Sequence, residues 1–230
     1  MDIQKYKNQL DSNLTGGRAL SDKNIIKKYL KILIKYFTIL KIQYSDKEKD
    51  SIKNFNIENS NYFDHYGLIS DIDIDKLKLF FQKIGKNSKN NINIMTKIVY
   101  KLTKEITKSF NKEACWLTIR VSLPNQHFDI ARWHMDGRFF DFEKNTNQMK
   151  FITTLKGPET LLCDVDDKFR DICLKMREDF WKLQKSNENN DLNETNFRIK
   201  MEKIFSNQKI IKLKNNEGCL FTVGDLNKAI

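Results

Sequence analysis

The sequence predicts an α+β protein: a mostly helical region over residues 1–112, then a strand-rich region over 113–230 laid out as a jelly roll. Three observations carry that expectation. Apolar residues recur at helical spacing along 92–110, at Ile94, Ile98, Leu102, Ile106 and Phe110. From about residue 114 the pattern changes to β-branched and apolar runs, beginning with Cys115–Leu123, which stops at Pro124. A His-x-Asp motif on an early strand, followed by a late Gly218…Gly224-Asp225 segment, is the order of a double-stranded β-helix of the cupin kind.

Taken in order, residues 1–20 are polar around Gly16-Gly17 and read as a loosely held arm. Ser21-Asp22 is an N-cap signal for a helix running through Ile25, Leu30, Leu33, Phe37 and Leu40, apolar on more than one side. Residues 44–62 read as an exposed loop, and Tyr62–Gly67, with His65 inside it, as an aromatic turn. Asp71–Ile84 forms a short helix stopped by Gly85, ahead of the helix over 92–110. Strands follow at Phe128–His134 and Gln148–Leu155; Gly157-Pro158 turns the chain, and Thr160–Val165 is again extended. Residues 167–185 insert an amphipathic helix, Ser186–Thr195 an acidic loop and Asn196–Phe205 a second helix (the insertion spans 166–206). Lys209–Leu213 and Gly218–Val223 are the last strands.

Composition narrows the class. With 40% hydrophobic residues and 16 Phe there is material for a sizeable core, and two prolines with eight glycines argue against a disordered or fibrous chain. No apolar run approaches the roughly 18 residues of a membrane span, and Met1-Asp2-Ile3-Gln4-Lys5 lacks the order of a secretory signal. The chain therefore reads as soluble and intracellular. Its formal charge of +11 invites a nucleic-acid partner, but the lysines are scattered among Asn and Ile rather than gathered in a stripe. The four cysteines have no zinc-ligand spacing, and Cys115, Cys163 and Cys219 lie in apolar runs as reduced thiols.

The chemistry concentrates in Ala131-Arg132-Trp133-His134-Met135-Asp136-Gly137. On an extended strand His134 and Asp136 point to one face, so both heads reach one divalent ion. Together they supply two ligands of a facial His/His/carboxylate triad, which suits Fe(II) with open positions. The bland alternative is an imidazole hydrogen-bonded to a carboxylate. His127-Phe128-Asp129 is a second such motif, but His127 lies seven residues before His134 and would face the other way on an unbroken strand.

Trp133-His134-Met135-Asp136-Gly137, with Leu155-Lys156-Gly157-Pro158-Glu159-Thr160 downstream, resembles the Fe(II)/2-oxoglutarate oxygenase superfamily, and within it members from fungi and giant DNA viruses. The resemblance covers about residues 115–165 and 218–230. It implies a jelly-roll core, Fe(II) on His134 and Asp136, 2-oxoglutarate as co-substrate, and hydroxylation or oxidative demethylation as chemistry. For a virus-encoded member the compartment would be the host cytoplasm. The family's distal histidine and following arginine stand beyond a segment like Gly224-Asp225, and these 230 residues hold no counterpart of either. A lysine on the next strand anchors 2-oxoglutarate in some branches, which selects Lys150, with Thr154 as a hydroxyl donor. Arg120 and Arg132 are further partners for an acidic co-substrate. The competing expectation is a non-enzymatic jelly-roll interaction protein with a degenerate metal site. Sequence leaves the substrate and the oligomeric state open.

Overall fold

The computed structural model describes residues 37–124, 130–134, 148–158, 160–163, 166–186 and 190–223. Its elements run β1 (Thr38–Lys41), α1 (Asp46–Asn54), β2 (Asn61–Leu68), a 3-10 turn at Ile69–Asp71, α2 (Ile74–Lys83), α3 (Lys89–Ser109) and β3 (Ala114–Val121). They continue with β4 (Gln148–Thr153), β5 (Leu161–Cys163), α4 (Asp167–Ser186), α5 (Asn190–Phe205), β6 (Ile210–Lys212) and β7 (Glu217–Val223). The class is α+β, as the sequence predicts. Three antiparallel sheets form, ordered β1-β7-β4, β2-β3 and β5-β6, with no closed barrel among the described residues.

Each N-terminal helix starts where a short polar side chain takes up backbone N–H groups that the first turn leaves over. Ser45 and Glu48 form a reciprocal capping box on α1, with Ser45 N–H donating to Glu48 Oε2 at 2.7 Å. Asp73 Oδ1 accepts from the N–H groups of Asp75 and Lys76 at 3.0 and 2.9 Å, and Ser88 Oγ from that of Asn91 at 3.2 Å. Past the end of α2 the chain runs tight against residue 56. A Cβ on Gly85 would stand 2.3 Å from the Asn56 carbonyl oxygen, so this position is restricted to glycine.

Helix α3 joins two of the layers. Its first half buries Ile92, Met95, Ile98 and Val99 in a core with Leu77, Phe80, Phe81 and Phe55, under the inner face of β2-β3 (Phe63, Leu117, Ile119, Val121). Its far end sends Ile106 and Phe110 onto one face of β1-β7-β4, against Leu40, Leu220, Met149 and Phe151. The opposite face of that sheet carries Cys219, Phe221, Val223, Ile39 and Ile152, with Leu213 and Leu162 packed on it. Each large side chain so buried contributes roughly 1.5–3 kcal/mol. The β1–β7 and β2–β3 pairings both cross the expected boundary at 112/113.

Five expectations need correction. The helix drawn through Leu40 gives way to β1, because β7 has apolar side chains on both faces and β1 supplies Ile39 to one layer and Leu40 to the other. Residues 44–62 hold α1 rather than a loop; a helix with so few apolar residues still forms once its cap and the burial of Phe55 fix it. Tyr62–Gly67 is strand β2, not a turn. Ile130–His134 carries no strand hydrogen bonding. Helix α5 begins at Asn190, inside the expected acidic loop. The readings on residues 1–36, 125–129 and 135–147 lie outside the described residues.

Candidate metal and co-substrate site

The antiparallel register of β4 on β7 sets Lys150 opposite Phe221 and Ile152 opposite Cys219, so these four share one face. Lys150 adjoins the apolar Phe221, Ile152 and Cys219, on a face whose β1 end carries Lys41 and Glu217. Its stem lies half-buried along that surface, and its ammonium stands 6.0 Å from the centre of the Phe221 ring, at the edge of cation–π range. Lys150 and Ile152 therefore share a face, as expected of alternate residues on one strand.

Thr154 does not join it on the ladder, because β4 ends at Thr153. The Thr154 hydroxyl instead lies 2.8 Å from that of Thr160 and closes the turn between β4 and β5. Beside it, Thr153 Oγ1 donates to the Glu217 carbonyl at 2.8 Å. Leu155 then reaches the core under β2-β3. Lys156 swings the other way and donates to the carbonyls of Lys53 and Phe55, at 2.7 and 2.6 Å, where α1 leaves carbonyls unsatisfied. Sequence reading missed this role for Lys156. Nothing local signals it, since its partners are about a hundred residues earlier.

His134 is exposed, and its Nδ1 lies 3.0 Å from the Arg132 carbonyl oxygen. A carbonyl can only accept, so this ring nitrogen is the donor of the pair. Ligand histidines are commonly oriented by such a backbone carbonyl. Trp133 fixes the segment: its ring stacks on Phe205 with centroids 4.4 Å apart and planes 4° from parallel. Phe169 meets the same Phe205 edge-on at 5.1 Å, in the core of Cys163, Cys173 and Met201. Asp136, the other expected ligand, lies outside the described residues, as do His127, Gly224 and Asp225. Among the described residues no three His, Cys, Asp or Glu side chains gather closely enough to hold a metal ion.

The remaining candidates fall elsewhere. His65 sits on β2 with Nε2 3.0 Å from the Leu68 carbonyl, beside Gly67 at φ 146°, so this ring nitrogen donates locally. Arg120 stands on the outer face of β2-β3, opposite Tyr62. All four cysteines are free; burial pushes the thiols of Cys115, Cys173 and Cys219 up, Cys219 furthest, which makes them poor nucleophiles. No helix among the described residues is long and apolar enough to cross a membrane. No known family, no curated protein and no solved structure matches the chain.

Proposed function

We propose that the chain is an Fe(II)/2-oxoglutarate oxygenase-like protein with a jelly-roll core, its metal site built on His134 and Asp136 and its co-substrate held by Lys150. The observation that carries this is the orientation of His134, whose Nδ1 donates to the Arg132 carbonyl. That hydrogen bond fixes the plane of an exposed ring, as backbone carbonyls do for histidines that ligate metals. Lys150 supports it from a second direction: a cation part-way into an apolar face suits the distal carboxylate of a dicarboxylic acid. In this reading His134 and Asp136 hold the ion, Lys150 orients the acid by charge-assisted hydrogen bonding, and the Phe221–Ile152 surface keeps water off it. Thr154 sets the turn after β4 through Thr160 rather than touching the acid. Bound Fe(II) supplies oxygen chemistry that no side chain can.

The test is succinate production from 2-oxoglutarate by the purified chain with Fe(II), alongside Asp136→Ala and Lys150→Met. Turnover that vanishes in the first variant, with 2-oxoglutarate affinity about 10–100-fold weaker in the second, supports the proposal. Turnover unchanged in either variant refutes that residue's role. A chain that neither binds iron nor turns over fits the second reading, a non-enzymatic interaction protein on the same fold, which the exposed aromatic side chains of β2-β3 favour.

A further inference from the structure

Strands β2 and β3 pair over their full length, Asn61 with Val121 through Leu68 with Ala114. One face of this ladder covers the largest core. A half-buried antiparallel sheet normally turns polar residues outward on its other face. Here the outward pairs are Tyr62 with Arg120, Asp64 with Thr118, Tyr66 with Trp116 and Leu68 with Ala114. Tyr62 is 72% exposed, Tyr66 64% and Trp116 44%. Tyr62, Asp64, Trp116, Thr118 and Arg120 line an open groove of about 640 Å³ along this face.

The indole is held in place. Asp64 Oδ1 accepts from Trp116 Nε1, and from the Thr118 hydroxyl at 2.8 Å, so the carboxylate is engaged from across the ladder. A ring already fixed by such a bond loses less freedom when a ligand stacks on it. Tyr62 and Tyr66 are four residues apart on one strand, roughly 13 Å, which gives two contact points along an extended polymer.

We propose that this face binds single-stranded nucleic acid, with bases stacked on Tyr62, Tyr66 and Trp116 and Arg120 meeting a phosphate. Charge selects this occupant: the chain carries +11, and of the two charged side chains in the groove the Asp64 carboxylate already accepts from Trp116 and Thr118, so the Arg120 guanidinium beside the rings is the one that meets a polyanion with planar groups. A neutral glycan would use the rings but not the charge, and a second copy would bring two strongly basic chains together. A duplex keeps its bases stacked away from the rings. The inference stands apart from the oxygenase reading, since it shares no residue with His134, Asp136 or Lys150.

The experiment is fluorescence polarisation of labelled oligo-dT and oligo-rU with the full chain at low salt, with unlabelled duplex as competitor. The expected result is binding that prefers the single strand and weakens about 5- to 100-fold in Tyr62→Thr/Tyr66→Thr, whose exposed positions keep strand propensity. Arg120→Gln should lower the slope of log affinity against log salt by about 1. Ultraviolet crosslinking of the unaltered chain should mark the peptides containing β2 or β3, a readout that needs no variant to fold. The proposal is overturned by no binding at low salt, by equal affinity for duplex, by affinity within about 2-fold in the double variant, or by crosslinks confined elsewhere. Concentration-dependent dimers abolished by the same double variant would also overturn it and make the face an interface between copies.

Discussion

Gly218 offers a substitution whose sign depends on one neighbour. It lies on β7, the middle strand of its sheet, between Leu40 of β1 and Thr153 of β4. Replacing a glycine inside a strand with alanine ordinarily gains about 0.5–1 kcal/mol from chain entropy. Here the added Cβ would stand 2.2 and 2.4 Å from Cζ and Cε2 of Phe151 and 3.1 Å from the Ile152 carbonyl oxygen. Carbon atoms in contact sit roughly 3.5–4.0 Å apart, so the ring must retreat by more than 1 Å. It packs with Met149, Ile106 and Phe110 around Leu40 and Leu220 and has little room to do so. Overpacking of this kind costs about 1–3 kcal/mol. The clash exceeds the entropic gain, and Gly218→Ala should be net destabilising by about 1–2 kcal/mol, or about 2–4 °C in Tm per kcal/mol. The clashing atoms are absent from leucine. In a Phe151→Leu background the same Gly218→Ala change should therefore become neutral or stabilising. Denaturant unfolding of the four proteins of this double-mutant cycle measures the coupling. Additive effects, or a stabilising Gly218→Ala in the unaltered background, would refute the reasoning.

Three other changes follow from named contacts. Lys156→Met removes two charge-assisted hydrogen bonds to the end of α1 and should cost about 1–2 kcal/mol after allowance for an exposed side chain, with Lys156→Arg recovering part of it in urea melts. Tyr44→Phe should stabilise the chain by about 1 kcal/mol in the same melts, since the Tyr44 hydroxyl is buried with no hydrogen-bond partner among the described residues. Burial, and then the Glu48 charge, push the Tyr44 phenol up to about 12, so stability present below pH 10 is lost as pH rises toward 12, and Tyr44→Phe should abolish that loss. Backbone N–H donation from Lys76, foremost, holds the Asp73 carboxyl below the usual carboxylate range. Its stabilisation is therefore present above the unfolded value and lost as pH falls through the folded one. Asp73→Asn keeps a capping side chain and should flatten that acid-side loss in pH-dependent melts, and an unchanged profile would contradict the assignment.

Local signals were legible where one period ruled a stretch. Helix α3 shows its apolar repeat plainly and β3 its alternation, while β4 and β7, covered on both faces, show as short, largely apolar runs. Strand β1 was not legible: Ile39 and Leu40 serve opposite layers, and adjacent apolar residues look alike in a buried helix and a buried strand. In β2 the outward Tyr62 and Tyr66 masked the alternation that Phe63 and His65 make inward. The Ser45-x-x-Glu48 capping box is a readable helix start, set in a stretch too polar for an apolar stripe to mark the helix. Near the proposed site, strand parity was enough to put Lys150 and Ile152 on one face. The Thr154–Thr160 bond and the grip of Lys156 on α1 depend on how a turn meets a distant helix, which local sequence does not encode.

Equilibrium binding of Fe(II) to the anaerobic chain, with and without 2-oxoglutarate, reaches the proposed site most directly. Bound iron that raises 2-oxoglutarate affinity, and that weakens at least about 10-fold in both His134→Ala and Asp136→Ala, is the result expected of one ion held by this pair. Iron bound equally well by all three proteins, or by none, would contradict it.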